Sequence, residues 1–223
     1  MIKAILFDLD ETLLNQKEAS SAALRHFHAH RCAGIEWRDV EKRWKTSLET
    51  HFDRFANGEI TFQEQRRWRI RDVFEDPGIS DAKADDLFGI YLAEYERNYR
   101  LFPEVLEALE RFGGYPLGVV SNGNAFQQLD KLKRMGIHGR FSTIVVSEAV
   151  GLRKPDPRIF ELAARNLGVE TRECLFVGDN PEADYRGSAD AGMLAILLNR
   201  NYSANGNAPR QIASLLELAR FLP

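Results

Sequence analysis

The sequence MIKAILFDLDETLL, residues 1–14, decides which fold the chain is expected to adopt. Its first half, Ile2–Phe7, is a largely apolar run, which is typical of a strand buried on both faces of a sheet. Three acidic residues come directly after it: Asp8, Asp10 and Glu11. Carboxylates that follow a buried strand indicate a polar site at the carboxyl end of that strand.

Other apolar runs of the same kind extend this strand into a sheet. They lie at Leu117–Val120, Thr143–Val146, Cys174–Val177 and Leu194–Leu198. Two helical patterns lie between them, Pro103–Phe112 and Pro157–Leu167, and each ends before a glycine. Asp156 is the expected N-cap of the second, with proline at the first helical position. Strands that alternate with helices predict an α/β fold, a Rossmann-like parallel sheet with helices on both faces.

Residues 15–99 interrupt the alternation of strands and helices. This segment has no convincing strand run, and Arg, Glu, Phe and Trp recur in it at helical intervals. We therefore predict an α/β core made of residues 1–14 and 100–223, with an all-helical cap of residues 15–99 inserted after the first strand. Near the C-terminus we expect a polar surface loop at 199–209 and an amphipathic helix at 212–222.

The composition argues against several classes of partner. The 223 residues carry a formal net charge of −3, so neither nucleic acid nor an anionic membrane is an expected partner. The two cysteines, Cys32 and Cys174, are far apart and imply no disulfide framework. No stretch approaches the ~18 apolar residues of a membrane span, and the first apolar run is too short for a signal sequence. We expect a cytoplasmic monomer or homodimer.

Polar residues follow each of the first four predicted strands. They are Asp8 and Asp10 after the first, Ser121 and Asn122 after the second, Lys154 beyond the third, and Asp179 and Asp184 after the fourth. Each short motif alone is typical of a turn. In parallel sheets, however, ligands gather beyond the carboxyl ends of the strands, so all of these residues are expected to converge.

The converging carboxylates need a counter-charge. Two of them about 4 Å apart repel each other by about 4 kcal/mol even at an effective dielectric constant of about 20. Oxygen ligands suit a hard divalent cation, and Mg²⁺ is the usual one beside phosphate. Carboxylates, Mg²⁺, the Lys154 ammonium and the Ser121 hydroxyl together favour phosphoryl transfer, in which a carboxylate attacks phosphorus in line.

Taken together, the motifs resemble the phosphatase branch of the haloacid dehalogenase superfamily. The matching stretches are Asp8–Leu13, Val120–Gly123, Leu152–Pro157, Val177–Asp184 and Gly187–Met193. The resemblance covers about 1–14 and 100–223, whereas 15–99 matches only in position and helical character, as a cap of the C1 type. It implies a Mg²⁺-dependent phosphomonoesterase that hydrolyses a small phosphorylated metabolite.

The resemblance also implies roles for the acidic residues. Asp8 would attack phosphorus and become an aspartyl phosphate. Asp10 would protonate the leaving oxygen and then take a proton from the hydrolytic water. Mg²⁺ would be held by the Asp8 carboxylate, the Asp10 backbone carbonyl and Asp179.

The remaining roles concern the phosphoryl oxygens. Ser121 and Lys154 would hold them, with help from backbone N–H groups near Asn122. Asp184 would orient the lysine or act on the cation through water. These assignments make Ser121 and Lys154 members of the catalytic set.

Several alternatives stay open within this resemblance. Asp10 disfavours a dehalogenase, because a halide leaves without a proton. A phosphonate-cleaving relative would need a cap lysine, and Lys17, Lys42 and Lys45 stand in no recognisable motif. Nucleotidases, acylneuraminate-9-phosphatases and phosphoglycolate phosphatases are the nearest groups. A sugar phosphomutase, or an idle relative that binds a partner through its cap, remains an alternative.

Two features of the cap segment are given simpler interpretations. His26, His28 and His30 have no accompanying carboxylate of a zinc motif, so a partly exposed helix is favoured over a metal site. The basic stretch Gln65–Arg71 is balanced by acidic neighbours, so we interpret it as a charged helix face rather than a nucleic-acid site. The cap aromatics are expected to form the cap core, with one or two at the substrate entrance: Trp37, Trp44, Phe52, Phe55 and Phe62.

Overall fold

The structure is a computed structural model that describes residues 1–200 and 210–222. The chain forms two compact units. Met1–Gln16 and Arg100–Pro223 make up one unit, and Lys17–Tyr99 make up the other. Among the described residues, no helix combines the length and the apolar character that a membrane crossing requires.

The first unit is built on a parallel sheet of six strands. They are β1 (Ala4–Phe7), β2 (Leu117–Ser121), β3 (Thr143–Val146), β4 (Cys174–Gly178), β5 (Leu194–Leu198) and β6 (Gln211–Ile212). Their order across the sheet is β3-β2-β1-β4-β5-β6. All four residues of β1 are buried, as its unbroken apolar run predicts. The predicted α/β fold class is therefore confirmed.

The register of the sheet brings the ends of the central strands to one edge. Phe7 lies opposite Val119 on one side and Val177 on the other. The Asp8 N–H donates to the Val177 carbonyl at 2.9 Å, which extends the pairing one residue beyond β1. Asp8, Ser121 and Asp179 are therefore carried to the same edge of the sheet.

The described residues of the second unit form four helices joined by short loops. Its helices are α1 (Gln16–Arg31), α2 (Trp37–Ala56), α3 (Phe62–Phe74) and α4 (Asp81–Arg97). Thr61 and Glu64 form a capping box that starts α3. Trp44 is buried in the core of this unit, whereas the other four aromatics expected there are only partly buried: Trp37, Phe52, Phe55 and Phe62.

The helices of the first unit cover the sheet. They are α5 (Val105–Arg111), α6 (Ala125–Arg134), α7 (Ser147–Val150), α8 (Pro157–Asn166) and α9 (Gly187–Asp190). The N-cap prediction for α8 is confirmed, because the Asp156 carboxylate accepts from the Arg158 N–H at 2.9 Å. Phe160 of α8 packs edge-on against Phe176 of β4, with ring centroids 4.9 Å apart. These contacts fix the helix against the strand that precedes Asp179.

The prediction of an amphipathic helix at 212–222 is partly wrong. Ile212 pairs with Leu198 as part of β6, and the helical segment is a 3₁₀ helix, Leu215–Phe221. Ile212, Leu215 and Leu218 are fully buried. Their three-residue spacing matches the period of a 3₁₀ helix, in which side chains at i and i+3 lie above each other. Most of the predicted loop at 199–209 lies outside the described residues.

Candidate active site

Lys154 joins two carboxylates at the carboxyl edge of the sheet. Its Nζ donates to Asp8 Oδ1 and to Asp184 Oδ1, each at 2.6 Å. All three side chains are buried, and the lysine is only 3% exposed. A buried ammonium with two carboxylates in contact is firmly held, because breaking such a pair leaves an uncompensated charge.

Asp184 reaches this site through a tight turn after β4. The residues Pro181–Arg186 form one turn of π-helix, and the Asn180 N–H donates to Asp184 Oδ2 at 3.0 Å. Gly178 makes the approach possible, because a Cβ at that position would lie 2.4 Å from the Asp184 carboxyl group. The glycine at the end of β4 is thus required by close packing against the site.

Three carboxylates form one group that fits a cation. Oxygen atoms of Asp8, Asp179 and Asp184 lie within 4.8 Å of one another. Burial raises the pKa of Asp8 to about 8, since Lys154 only partly offsets the desolvation and Asp184 and Asp10 repel its charge. Burial would lower the pKa of Lys154, but Asp184 and Asp8 outweigh it and raise that pKa. Carboxylate oxygens are the ligands that a hard divalent cation prefers, so this group could hold one.

Asp10 is held separately by two residues of α6. Lys131 Nζ donates to its two carboxylate oxygens at 2.7 and 2.8 Å, and Gln128 Nε2 donates to Oδ2 at 2.9 Å. Both side chains are 2% exposed. Gln128 Nε2 also donates to Ser121 Oγ at 2.7 Å. We call Lys131 and Gln128 the α6 clamp; it fixes the direction of the Asp10 carboxylate.

The α6 clamp is the part of the site that sequence reasoning missed. Lys131 and Gln128 are three residues apart and lie on one face of α6, as a polar surface pair would. In the structure this face is turned inward, and Phe126 of the same helix is 80% exposed. The only sequence signal is the position of α6, which begins four residues after Ser121.

Asn122 links the loop after β2 to the lysine. Its Nδ2 donates to the Lys154 carbonyl at 3.0 Å, and its Oδ1 accepts from the Lys154 N–H at 2.9 Å. The side chain is therefore engaged in positioning the Lys154 backbone. A contact of Asn122 with phosphate would use its backbone N–H and stays a prediction.

Comparisons with known proteins agree with this geometry. A family model for haloacid dehalogenase-like hydrolases matches residues 2–192. The glyceraldehyde 3-phosphate phosphatase of Methanopyrus kandleri is 33% identical, over 90% of this chain and 85% of that protein. The phosphoserine phosphatase of Thermus thermophilus is 30% identical, over 89% of each. The crystal structure of the HAD-hydrolase YfnB from Bacillus subtilis, bound to magnesium, superimposes with a TM-score of 0.78 at 25% identity, over 99% of this chain and 98% of that one.

These similarities confirm two predictions made from the motifs. The family resemblance is confirmed by the match over most of the chain. The expectation of a hydrolase is confirmed by the same match. The two relatives named above bear the names of phosphatases that act on small metabolites.

Proposed function

We propose that this chain is a Mg²⁺-dependent phosphomonoesterase whose nucleophile is Asp8. The premise is that it belongs to the haloacid dehalogenase-like hydrolases. The observation that carries the proposal is the buried contact of Lys154 with Asp8, beside a second acid, Asp10, that is held independently. A nucleophile and a proton donor in separate settings are what a two-step phosphoryl transfer requires.

The first step forms a bond between the Asp8 carboxylate and phosphorus and breaks the phosphorus–oxygen ester bond. Asp10 enters this step protonated and gives its proton to the departing oxygen, so that an alcohol leaves rather than an alkoxide. Lys154 and Ser121 hold the phosphoryl oxygens, and Lys154 offsets part of their charge. The α6 clamp orients the Asp10 carboxylate for this transfer.

The second step hydrolyses the aspartyl phosphate. Water attacks phosphorus and gives a proton to Asp10, the bond from phosphorus to Asp8 breaks, and inorganic phosphate leaves. Both acids end in their starting state, so the cycle balances in protons. When bound by Asp8, Asp179 and the Asp10 carbonyl, Mg²⁺ would supply charge neutralisation to the phosphoryl group.

We propose a small phosphorylated metabolite as the substrate. The relatives named above carry the names of phosphatases for glyceraldehyde 3-phosphate and phosphoserine, both three-carbon phosphate esters. Asp10 argues against dehalogenation, since a halide leaves without protonation. A panel of phosphorylated metabolites, assayed for phosphate release with Mg²⁺ present, identifies the substrate.

Substitution of the nucleophile tests the mechanism. Asp8→Asn is expected to abolish Mg²⁺-dependent phosphate release from p-nitrophenyl phosphate, and the acid-quenched wild type should carry phosphate on Asp8. Asp190→Asn is the matched control, because Asp190 is an exposed carboxylate on α9. Wild-type activity in Asp8→Asn would refute the aspartyl mechanism.

A further inference from the structure

Helix α3 of the second unit carries four arginines in two different settings. Arg67 donates to Asp81 and Asp85, with contacts of 2.6–2.8 Å, and Arg71 donates to Asp81 at 2.6 Å. Within the described part of the chain, neither Arg66 nor Arg69 has a carboxylate within ion-pair distance. The interpretation of this helix as a simple charged face therefore holds for only half of its arginines.

Arg69 is the more buried of these two arginines. It is 6% exposed, and its guanidinium lies 4.1 Å from the ring centroid of Trp44. Phe88 and Tyr91 complete the surroundings at 5.2 and 5.6 Å. Aromatic faces attract a cation, and the Tyr91 side chain also forms a hydrogen bond with Arg69, but Nε of this guanidinium has no partner among the described residues.

Arg66 lies one turn before Arg69 and shares an aromatic ring with it. Its guanidinium is 4.2 Å from the Phe62 centroid and 5.2 Å from that of Phe88. Unlike Arg69, it is only partly buried and is open to solvent on one side. Two guanidinium groups that share one ring, three residues apart on a helix, form a continuous cationic strip from solvent to the interior.

Buried polar atoms beside this strip lack hydrogen-bond partners. Among residues 1–200 and 210–222, these include Arg69 Nε and Trp44 Nε1. Both are N–H donors, and each belongs to a side chain that is more than nine-tenths buried. Native structures satisfy most buried polar groups, so unmatched donors beside unneutralised cations indicate an acceptor that is a ligand.

The charges around the strip lead to the same conclusion. Burial lowers the pKa of Arg69, and burial followed by repulsion from Arg69 lowers the pKa of Arg66. Tyr99, Glu96 and Tyr91 oppose this lowering at Arg66. At Arg69 it is opposed by Tyr91, which also forms a hydrogen bond with the guanidinium, and by Tyr95. A bound anion would offset the cost of burying the two guanidinium groups and would counter the repulsion between them.

We propose that Arg66 and Arg69 form an anion site in the helical unit, which takes a small carboxylate or phosphate-type oxyanion. The flat fork of a guanidinium matches the two oxygens of such groups. The ligand is a free metabolite anion that carries such a group.

Tryptophan fluorescence tests the site directly, because all three tryptophans, Trp37, Trp44 and Trp68, belong to the helical unit. The full chain with Trp37→Phe and Trp68→Phe leaves Trp44 as the reporter beside Arg69. Malonate and inorganic phosphate are titrated separately without Mg²⁺, and sodium chloride at matched ionic strength serves as the salt control. We expect a saturable change in Trp44 emission with the two anions and none with chloride.

Variants of α3 assign the response to the two arginines. Arg66→Met and Arg69→Met should each lower the affinity for the anion at least about tenfold, since each removes charge-assisted hydrogen bonds. Arg67→Met, on the same helix, should leave the affinity unchanged. Arg66 is partly exposed, so its variant decides the outcome even if Arg69→Met fails to fold. A linear response in the folded parent, or equal affinity in Arg66→Met, overturns the proposal and makes Arg69 a structural cation.

The fluorescence titration does not depend on turnover, so a failure of the proposed phosphatase activity leaves the anion site testable.

Discussion

Replacing Lys131 with methionine is expected to damage the reaction selectively. Methionine keeps the length and the apolar stem of the side chain but removes the ammonium that donates to both oxygens of Asp10. The carboxylate would then be held by Gln128 alone, through one hydrogen bond at 2.9 Å to Oδ2. It could rotate away from the direction in which it delivers a proton.

The cost to stability follows from the exposure of the two partners. Breaking a fully buried ion pair costs about 3–5 kcal/mol. The Lys131 side chain is 2% exposed but that of Asp10 is 22% exposed, so water can reach the orphaned carboxylate. We therefore expect a loss of about 2–3 kcal/mol in the free energy of unfolding, below the buried-pair range. The protein should remain folded, and urea denaturation measures the change.

The cost to catalysis depends on the leaving group. General acid catalysis contributes about 10²- to 10⁴-fold, and an alkyl phosphate needs it because an alkoxide is a poor leaving group. We expect kcat/KM for glycerol 3-phosphate to fall about 100-fold in Lys131→Met, at the lower end of that contribution because Gln128 still contacts Asp10. p-Nitrophenolate leaves without a proton, so hydrolysis of p-nitrophenyl phosphate should fall far less.

Lys133→Met is the matched control, since Lys133 is an exposed lysine on the same helix. It should change neither stability nor the ratio between the two substrates. Equal losses on both substrates in Lys131→Met would refute the reasoning, because a general distortion of the site does not discriminate between leaving groups. Unchanged activity on both would show that the α6 clamp is dispensable.

Three further predictions concern the carboxylate group and its supports. Gly178→Ala should cost at least about 2 kcal/mol and most of the activity, because the new Cβ would displace the Asp184 carboxylate; urea denaturation and phosphate release test this. Asp8 loses its proton near pH 3.8 in the unfolded chain and near pH 8 in the folded protein. In EDTA, the contribution of Asp8 to the free energy of unfolding should therefore fall as the pH rises between these values. The affinity for Mg²⁺ should rise over the same range, because the ionised carboxylate is the ligand. Melting temperatures from pH 5 to 8, with and without Mg²⁺, check the sign, and pH-independent Mg²⁺ stabilisation would contradict it. Asn122→Ala should cost about 1–3 kcal/mol and lower kcat by misplacing Lys154, whereas Asn166→Ala, remote from this loop, should leave kcat intact.

The sequence by itself determined the sheet and the residues at its edge. Apolar runs of four to six residues form buried strands whatever their partners, and a polar residue directly after such a strand reaches the carboxyl edge by connectivity alone. The sequence alone therefore placed Asp8, Ser121 and Asp179 together. Lys154 could be placed there as well, on the one further assumption that its loop returns to the carboxyl edge of the sheet.

Only the tertiary structure decided which polar side chains of the helices are buried. From the sequence, Lys131 and Gln128 have the pattern of surface residues of α6. In the structure they are buried against Asp10, which lies more than 110 residues earlier in the chain. Arg66 and Arg69 likewise could not be distinguished from Arg67 and Arg71 until α3 was packed against Trp44 and Phe88. A helix repeats its faces every few residues, so local sequence describes the faces, but contacts with distant segments determine which of them is turned inward.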